Sequence, residues 1–187
     1  MRGRFPVKPL ILSAFVLLVC GAIYFSLAKS NGPNVQPKPE ATGNWHGNNF
    51  EAVTIEGKRF SLSELSEKPV VVVHFWASWC GPCVNEFPAM IRFVESFKGE
   101  IHLVALSADQ SDEDIRAFLK KIGVSPAPFI HIIRDQEGKV AGQFLAKMLP
   151  TSVILGKGLK VKKRLPGEVD WEDTNLRQVF KSYIDPR

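Results

Sequence analysis

Two of the chain's three cysteines have a spacing that suits redox chemistry. Cys80 and Cys83 follow a long apolar run rich in β-branched residues, at the point where a helix is expected to start. Two cysteines with this spacing at a helix N-terminus can reach each other, and the first has its sulfur close to unpaired backbone N–H groups and the positive end of the helix dipole. Because these surroundings favour thiolate over thiol, we predict that Cys80 is the attacking nucleophile and Cys83 the resolving thiol.

A pair of cysteines separated by two residues can also be half of a zinc site. Zinc would need two more ligands, and the chain's four histidines are scattered without ligand spacing: they are His46, His74, His102 and His131. The sequence therefore predicts no metal and no cofactor, and it favours thiol chemistry at this pair.

The redox pair needs a strand before it and a helix after it, and the hydrophobic pattern predicts both. Residues 69–76 are a nearly continuous apolar run, as expected of a central strand buried on both faces. A helix is predicted from about residue 80 to residue 98. Further elements are a hairpin (50–53 and 59–62), a strand (101–107), a helix capped by Ser111 and ended by Gly123, a strand (129–133), a second hairpin (152–155 and 159–165) and a last helix capped by Asp170. This order predicts an α/β fold, a mixed sheet with helices on both faces.

An apolar segment near the N-terminus predicts a single-pass anchor in the cytoplasmic (inner) membrane of a bacterium. Residues 10–28 carry no charged side chain, and a helix of that length nearly crosses a bilayer core. A cleaved signal peptide is the alternative, although no small-residue cleavage site of the usual kind is obvious. Arg2, Arg4 and Lys8 precede the segment, and short basic segments stay in the cytoplasm. Residues 1–9 are therefore expected in the cytoplasm, and the catalytic domain in the periplasm or outside the cell.

Composition separates the rest of the chain into a tether and one folded domain. Residues 29–43 are rich in Pro, Gly and Asn and have almost no apolar side chains, which is typical of a flexible linker. Residues 44–187 are then predicted to form the single domain. Four basic residues that flank the apolar segment account for most of the net charge of +5, and the other basic residues nearly balance the 19 acidic ones. This balance argues against nucleic-acid binding.

The runs Val70–Pro88 and Leu149–Leu155 resemble the thioredoxin superfamily, and more closely its membrane-tethered TlpA-like and ResA-like branch. The resemblance extends over roughly residues 44–187 and implies a thioredoxin fold. Pro88 matches the proline that kinks the family's active-site helix. The positions around the two cysteines that match the family's active-site motif are Trp79, Gly81 and Pro82.

The same resemblance implies a substrate-binding turn. Leu149, Pro150 and Thr151 match the family's cis-proline turn, which lies against the redox pair and offers backbone groups to the substrate chain. A cis bond before proline is uncommon, so this expectation comes from the resemblance alone. The alternative is an ordinary bend between strands, since any X-Pro sequence can make a turn.

Two further side chains are candidates for moving protons. Glu86 lies three residues after Cys83, where the resembled branch often has a glutamate, and a carboxylate one helical turn away could accept the proton that Cys83 must lose. The alternative is an ordinary solvated helix glutamate. His74 stands where cytosolic thioredoxins usually have Asp and the tethered branch often has Asn. It is either a proton relay or a hydrogen-bonded core residue, and the second is the commoner fate.

The resemblance implies a thiol:disulfide oxidoreductase that reduces protein disulfides outside the cytoplasm. The Gly-Pro pair between the cysteines resembles reducing members of the superfamily. A reductant in that compartment needs electrons from across the membrane, so a CcdA-like or DsbD-like transporter is the implied donor. Apocytochrome c, as in cytochrome c maturation, and the copper-site thiols of an oxidase are the implied substrates, and the sequence leaves the choice between them open.

The residues around Cys80 and Cys83 also bear on two other possible functions. A peroxiredoxin-like peroxidase would have its family's Pro and Thr upstream of the nucleophile, and these are not present around residues 77–80. A copper-binding assembly factor without turnover belongs to a different class. Such proteins usually separate their cysteines by three residues and add a distal His, whereas two residues lie between Cys80 and Cys83.

Overall fold

A central five-stranded sheet organises the part of the chain that the computed structural model describes, residues 49–125 and 127–185. In chain order the strands are β1 (Glu51–Val53), β2 (Arg59–Ser61), β3 (Val70–Trp76), β4 (Ile101–Ser107), β5 (Ile130–Arg134), β6 (Thr151–Gly156) and β7 (Lys160–Pro166). The helices are α1 (Gly81–Ser96), α2 (Asp112–Lys121), α3 (Lys139–Gln143) and α4 (Thr174–Ile184), with short 3-10 helices at Leu62–Leu65, Gln136–Gly138 and Lys157–Leu159. Strands β1 and β2 pair separately as an antiparallel hairpin.

The central sheet is mixed, as the sequence predicts. Its strand order is β5-β4-β3-β6-β7. Strands β3, β4 and β5 run parallel, β6 is antiparallel to β3, and β7 is antiparallel to β6. All seven residues of β3 are buried, which explains why this strand has no polar alternation in its sequence. The parallel arrangement brings the carboxyl ends of β3 and β4 to the same edge of the sheet.

The three longer helices cover one face of this sheet, and only the short helix α3 lies on the other, where the sequence predicted helices on both faces. On one face, Phe87 of α1 and Phe118 of α2 pack around Trp76, with ring centroids 4.3 and 5.1 Å from the indole. Phe180 of α4 belongs to the same apolar cluster. The opposite face is covered by the β1–β2 hairpin and by Phe144, which follows α3. Burying side chains of this size contributes about 1.5–3 kcal/mol each, so these contacts hold α1 against the sheet.

The beginning of the last helix differs from the prediction. Asp173, and not Asp170, is the N-cap of α4, and its Oδ1 accepts the Asn175 N–H at 2.7 Å. Asp170 accepts the Glu172 N–H in a turn that precedes the helix. The reason is Trp171, which is only 1% exposed: the chain must turn there to bury the indole before a helix can form.

Helix α3 is absent from the predicted elements. Its five residues are too few for a hydrophobic period to be recognised. A side-chain contact supports it, because the Asp135 carboxylate accepts the N–H groups of Val140 and Ala141 at 2.9 and 2.8 Å. The other boundaries agree closely: β4 has the predicted bounds, Ser111 Oγ caps α2, and Gly123 follows α2 with a φ of 71°.

The predicted membrane span, residues 10–28, and the linker, residues 29–43, lie outside the described residues. Within residues 49–125 and 127–185, no helix has the length and apolar character that crossing a membrane requires. The anchor and the domain boundaries therefore stay predictions.

Candidate active site

The two cysteines lie at the N-terminus of α1 and are joined by a disulfide. Cys80 is the N-cap residue, and its carbonyl accepts the Val84 N–H at 3.0 Å, which closes the first helical turn. Gly81 and Pro82 are the first helical residues, a place where proline is well tolerated because its missing N–H would have no helical partner. Cys80 is 8% exposed and Cys83 is 0% exposed. Of the two cysteines, only Cys80 therefore keeps any exposed surface.

The bond between Leu149 and Pro150 is cis, as the resemblance implied. Thr151 pairs with Phe75 at the end of β3, so the preceding Pro150 lies at the edge of the sheet where the chain leaves β3 toward Cys80. The turn is held by two hydrogen bonds: Thr151 Oγ1 donates to the Met148 carbonyl at 2.7 Å, and the Gly167 N–H donates to the Pro150 carbonyl at 2.9 Å. The substrate-binding role of this turn stays a prediction.

Exposed apolar side chains lie on both loops at this edge of the sheet. Trp79, directly before Cys80, is 67% exposed, and Met148, directly before the cis-proline turn, is 55% exposed. Large apolar residues at this exposure are few in the described part of the chain: the others are Val53 and Leu145. Trp79 and Met148 thus give apolar surface to the two loops that precede Cys80 and the cis-proline turn.

Glu86 is buried in the interior beneath the redox pair, so its alternative interpretation as a solvated helix glutamate is wrong. Its residue is 4% exposed. Oε2 accepts the Val169 N–H at 2.5 Å, and Oε1 lies 3.6 Å from Nε2 of His74. Burial raises the pKa of Glu86 to about 7, against the lowering effects of the Val169 N–H and the Trp171 indole. Nearby Glu168 raises the same pKa further.

His74 lies on β3 and is a hydrogen-bonded core residue. It is 0% exposed, and its Nδ1 is 2.9 Å from Ser152 Oγ on the neighbouring strand β6. Burial lowers the pKa of His74 to about 3, so the ring is neutral at physiological pH. Although His74 and Glu86 have the separation of an ion pair, a pKa of about 3 for His74 and of about 7 for Glu86 leaves both groups neutral between these two pH values. This geometry leaves a relay role for His74 open, because a neutral imidazole can still carry a proton on either nitrogen.

One polar group at the site was not anticipated from the sequence. Asp109 follows β4, is 4% exposed, and accepts hydrogen bonds from Ser78 and Ser107. A signal for it was present, since polar residues that follow two adjacent parallel strands meet at one sheet edge. Ser152 and Val169 were also missed, and only the tertiary structure brings them to His74 and Glu86.

Comparisons with known proteins agree with this geometry. The model of the AhpC/TSA family matches residues 46–164, more than half of the chain. The thiol-disulfide oxidoreductase ResA of Bacillus cereus is 29% identical over 157 residues, which cover 82% of this chain and 84% of the relative. ResA of Bacillus subtilis is 32% identical over 120 residues, 64% of each chain. A crystal structure described as thiol:disulfide interchange protein DsbE from Chlorobium tepidum is 28% identical, with a TM-score of 0.65 over 74% of this chain and 95% of that one.

The chain belongs to the AhpC/TSA family and has a thioredoxin-like α/β fold. Its disulfide at a helix N-terminus, beside a cis-proline turn, is the redox centre of a thiol:disulfide oxidoreductase of the ResA and DsbE type. Protein disulfides are accordingly its class of substrate.

Proposed function

We propose that this protein is a membrane-anchored reductase of protein disulfides that acts outside the cytoplasm, with Cys80 as nucleophile and Cys83 as resolving thiol. One observation supports these different roles for the two cysteines. Cys80, at the start of α1, is 8% exposed, whereas Cys83 has no exposed surface. A substrate sulfur can meet the first thiol directly. It can leave only after the second thiol attacks from within.

The reduced enzyme begins the reaction. The Cys80 thiolate attacks one sulfur of the substrate disulfide, forms a mixed disulfide and releases the other substrate sulfur as a thiolate, which takes up a proton. Cys83 then attacks the Cys80 sulfur, releases the second substrate thiol and restores the internal disulfide. Two electrons and two protons pass to the substrate in each cycle, and the enzyme must be reduced again before the next.

Glu86 is the proposed acceptor of the proton that Cys83 loses. The two residues are one helical turn apart on α1, a spacing at which side chains are neighbours. A carboxylate whose pKa is near 7 can both accept and release a proton at neutral pH. The neutral ring of His74 faces Oε1 of Glu86 and hydrogen-bonds Ser152, so a relay through this ring is a second, less favoured route for the proton.

The exposed side of the site supports a role in binding an extended substrate chain. Trp79 and the turn formed by Leu149, Pro150 and Thr151 are its proposed contacts. In this arrangement the substrate lies between the turn and Cys80, and the apolar surface of Trp79 packs against it. Residues 44–187 are the proposed catalytic domain.

The compartment and partners are proposed from the N-terminal segment and the resemblance. Residues 10–28 would anchor the protein, residues 29–43 would tether the domain, and a CcdA-like or DsbD-like transporter would supply the two electrons. Apocytochrome c and oxidase copper-site proteins are both candidate substrates.

Insulin reduction separates this proposal from the other two functions. With dithiothreitol as electron donor, the full-length protein is expected to accelerate the reduction of insulin disulfides, because reduced Cys80 attacks protein disulfides directly. Hydroperoxide consumption and copper titration of the same preparation are the comparisons. Copper binding without insulin reduction would favour an assembly factor, and rapid hydroperoxide consumption without insulin reduction would favour a peroxidase.

The topology has its own test. A reporter that is active only outside the cytoplasm, fused after residue 187, is expected to be active, because the basic residues before the predicted span stay inside. The protein should also remain in the membrane fraction after a salt wash. A shortened, soluble product would show instead that the segment is a cleaved signal peptide.

A further inference from the structure

A buried carboxylate ties the loop that carries the nucleophile to the neighbouring strand. Oδ2 of Asp109 accepts the Ser78 backbone N–H at 3.0 Å, and Oδ1 accepts the Ser78 hydroxyl at 2.7 Å. The Ser107 hydroxyl donates to Oδ2 at 2.6 Å and accepts the Asp109 N–H at 3.0 Å. Two residues after Ser78, the chain reaches Cys80. The carboxylate thus binds both the backbone and the side chain of Ser78, and Ser107 holds it in place at the end of β4.

Nothing in the redox chemistry proposed above uses Asp109. Within the described residues, Asp109 makes no hydrogen bond to either cysteine. The proposed proton path runs through Glu86, which is bonded to Val169 and not to Asp109. A buried carboxylate is costly unless hydrogen bonds satisfy it, and both Asp109 oxygens are satisfied largely by the redox loop. We infer that Asp109 is a positioning residue: it holds Ser78 so that Trp79 stands exposed beside Cys80, ready to bind a protein substrate.

The physical reason lies in the exposure of Trp79. Trp79 is 67% exposed, so the protein core holds its indole only weakly and the orientation of the indole depends mainly on the backbone that carries it. The loop is tied at its start, where the Ala108 N–H donates to the Trp76 carbonyl at 2.9 Å, and again by Asp109 at Ser78. A loop ordered before binding loses less conformational entropy when a substrate arrives, which strengthens binding.

This inference rests on the proposed function, and it predicts a change in substrate affinity more than in chemistry. In Asp109→Asn, one acceptor oxygen becomes an NH2 group that faces donors, so the loop loses part of its support. For fluorescently labelled insulin, the half-saturation concentration should rise about tenfold, the equivalent of about one lost charge-assisted hydrogen bond, while the limiting rate stays within about twofold. The second-order rate with the small disulfide 5,5′-dithiobis(2-nitrobenzoate) should also stay within about twofold, because that reagent needs only Cys80.

The measurement uses full-length protein that is reduced with dithiothreitol, freed of it and mixed with excess substrate in a single turnover. Ser78→Ala, which removes one of the three hydrogen bonds that the Asp109 carboxylate accepts, should raise the insulin half-saturation concentration by about threefold. Asp112→Asn is the matched control, since it makes the same chemical change three residues away, where the carboxylate pairs with Arg134 and not with the redox loop. It should behave as wild type.

The possible results distinguish a failure of the positioning role of Asp109 from a failure of the proposed reductase function. If wild type fails to reduce insulin, the proposed function is wrong. If wild type reduces insulin but Asp109→Asn leaves the half-saturation concentration unchanged, or slows both substrates equally, the positioning role is wrong. A changed apparent pKa of Cys80 in iodoacetamide alkylation, with unchanged insulin affinity, would also overturn it, because Asp109 would then act through its charge on the thiol.

Discussion

Cys83→Ser is expected to turn the protein into a trap for its own substrates. Cys80 can still attack a substrate disulfide, but the mixed disulfide cannot be resolved because serine does not displace a thiol. Expressed at its native level in its own membrane, the variant should accumulate covalent adducts that run larger on a non-reducing gel and collapse when reductant is added. Turnover of insulin should fall to the background rate.

Cys80→Ser is the matched control, since it removes one thiol from the same pair and keeps both Cys83 and Cys20. It should form few adducts or none, because Cys83 has no exposed surface. Any adduct through Cys20 would occur equally in both variants and can be subtracted. Equal trapping by both variants would overturn the assignment of Cys80 as nucleophile, and no trapping by either would favour a copper carrier.

The trapped proteins also decide between the two proposed substrates. A cytochrome c apoprotein among the adducts would indicate cytochrome maturation, and an oxidase copper-site protein would indicate copper-site assembly. This choice depends on contacts that a partner makes with the exposed surface around Trp79 and the cis-proline turn. The covalent trap captures that partner directly.

Much of the fold could be predicted because its signals are local. The apolar run of β3 requires burial on both faces, and the two cysteines stand where a helix must start, so strand, loop and helix follow from neighbouring residues. Serine at the start of α2 and glycine after it mark that helix in the same way. The cis bond at Pro150 is different: no local signal separates it from any other X-Pro bond, and only the resemblance predicted it.

The surroundings of the site could not be predicted because they depend on contacts between distant segments. Glu86 is buried through Val169, which lies 83 residues away in the sequence, and His74 meets Ser152 across 78 residues. The late start of α4, at Asp173 and not at Asp170, has the same cause, since Trp171 must reach the core first. Polar residues in helices are exposed by default, so burial of Glu86 becomes evident only when the loop around Val169 and Trp171 covers it.

Burial of Glu86 leads to a second large expected effect. Glu86→Gln should slow disulfide exchange near neutral pH by on the order of 10²-fold, the lower end of general-base contributions, because only the ionisable group is lost. In wild type, the rate should rise with pH up to about 7 and then level, since the carboxylate accepts a proton only when it is ionised and its pKa is raised to about 7. The Gln variant should lack this rise. Single-turnover rates between about pH 6 and 9 measure both profiles.

The same pKa predicts how stability changes with pH, and this gives a check that does not depend on rate. A carboxyl whose pKa is raised from 4.5 to about 7 by burial favours the folded state fully below pH 4.5, and this contribution is lost as pH rises through 7. The free energy of unfolding of wild type, relative to Glu86→Gln, should therefore fall by roughly 3 kcal/mol between these limits. Denaturant titrations of both proteins at several pH values measure this difference.

His74→Asn is the control for the predicted rate effect of Glu86→Gln, because it removes the ring that faces Oε1 of Glu86 and leaves the carboxylate itself. It should change the rate less than Glu86→Gln does and should keep the rise toward pH 7. If the Gln variant matched wild type in rate across this pH range, the proposed role of Glu86 would have to be abandoned. If the stability difference still appeared, the carboxyl would be a buried acid with no part in moving protons. Loss of the pH dependence in both variants would indicate instead that His74 and Glu86 carry the proton together, as the relay requires.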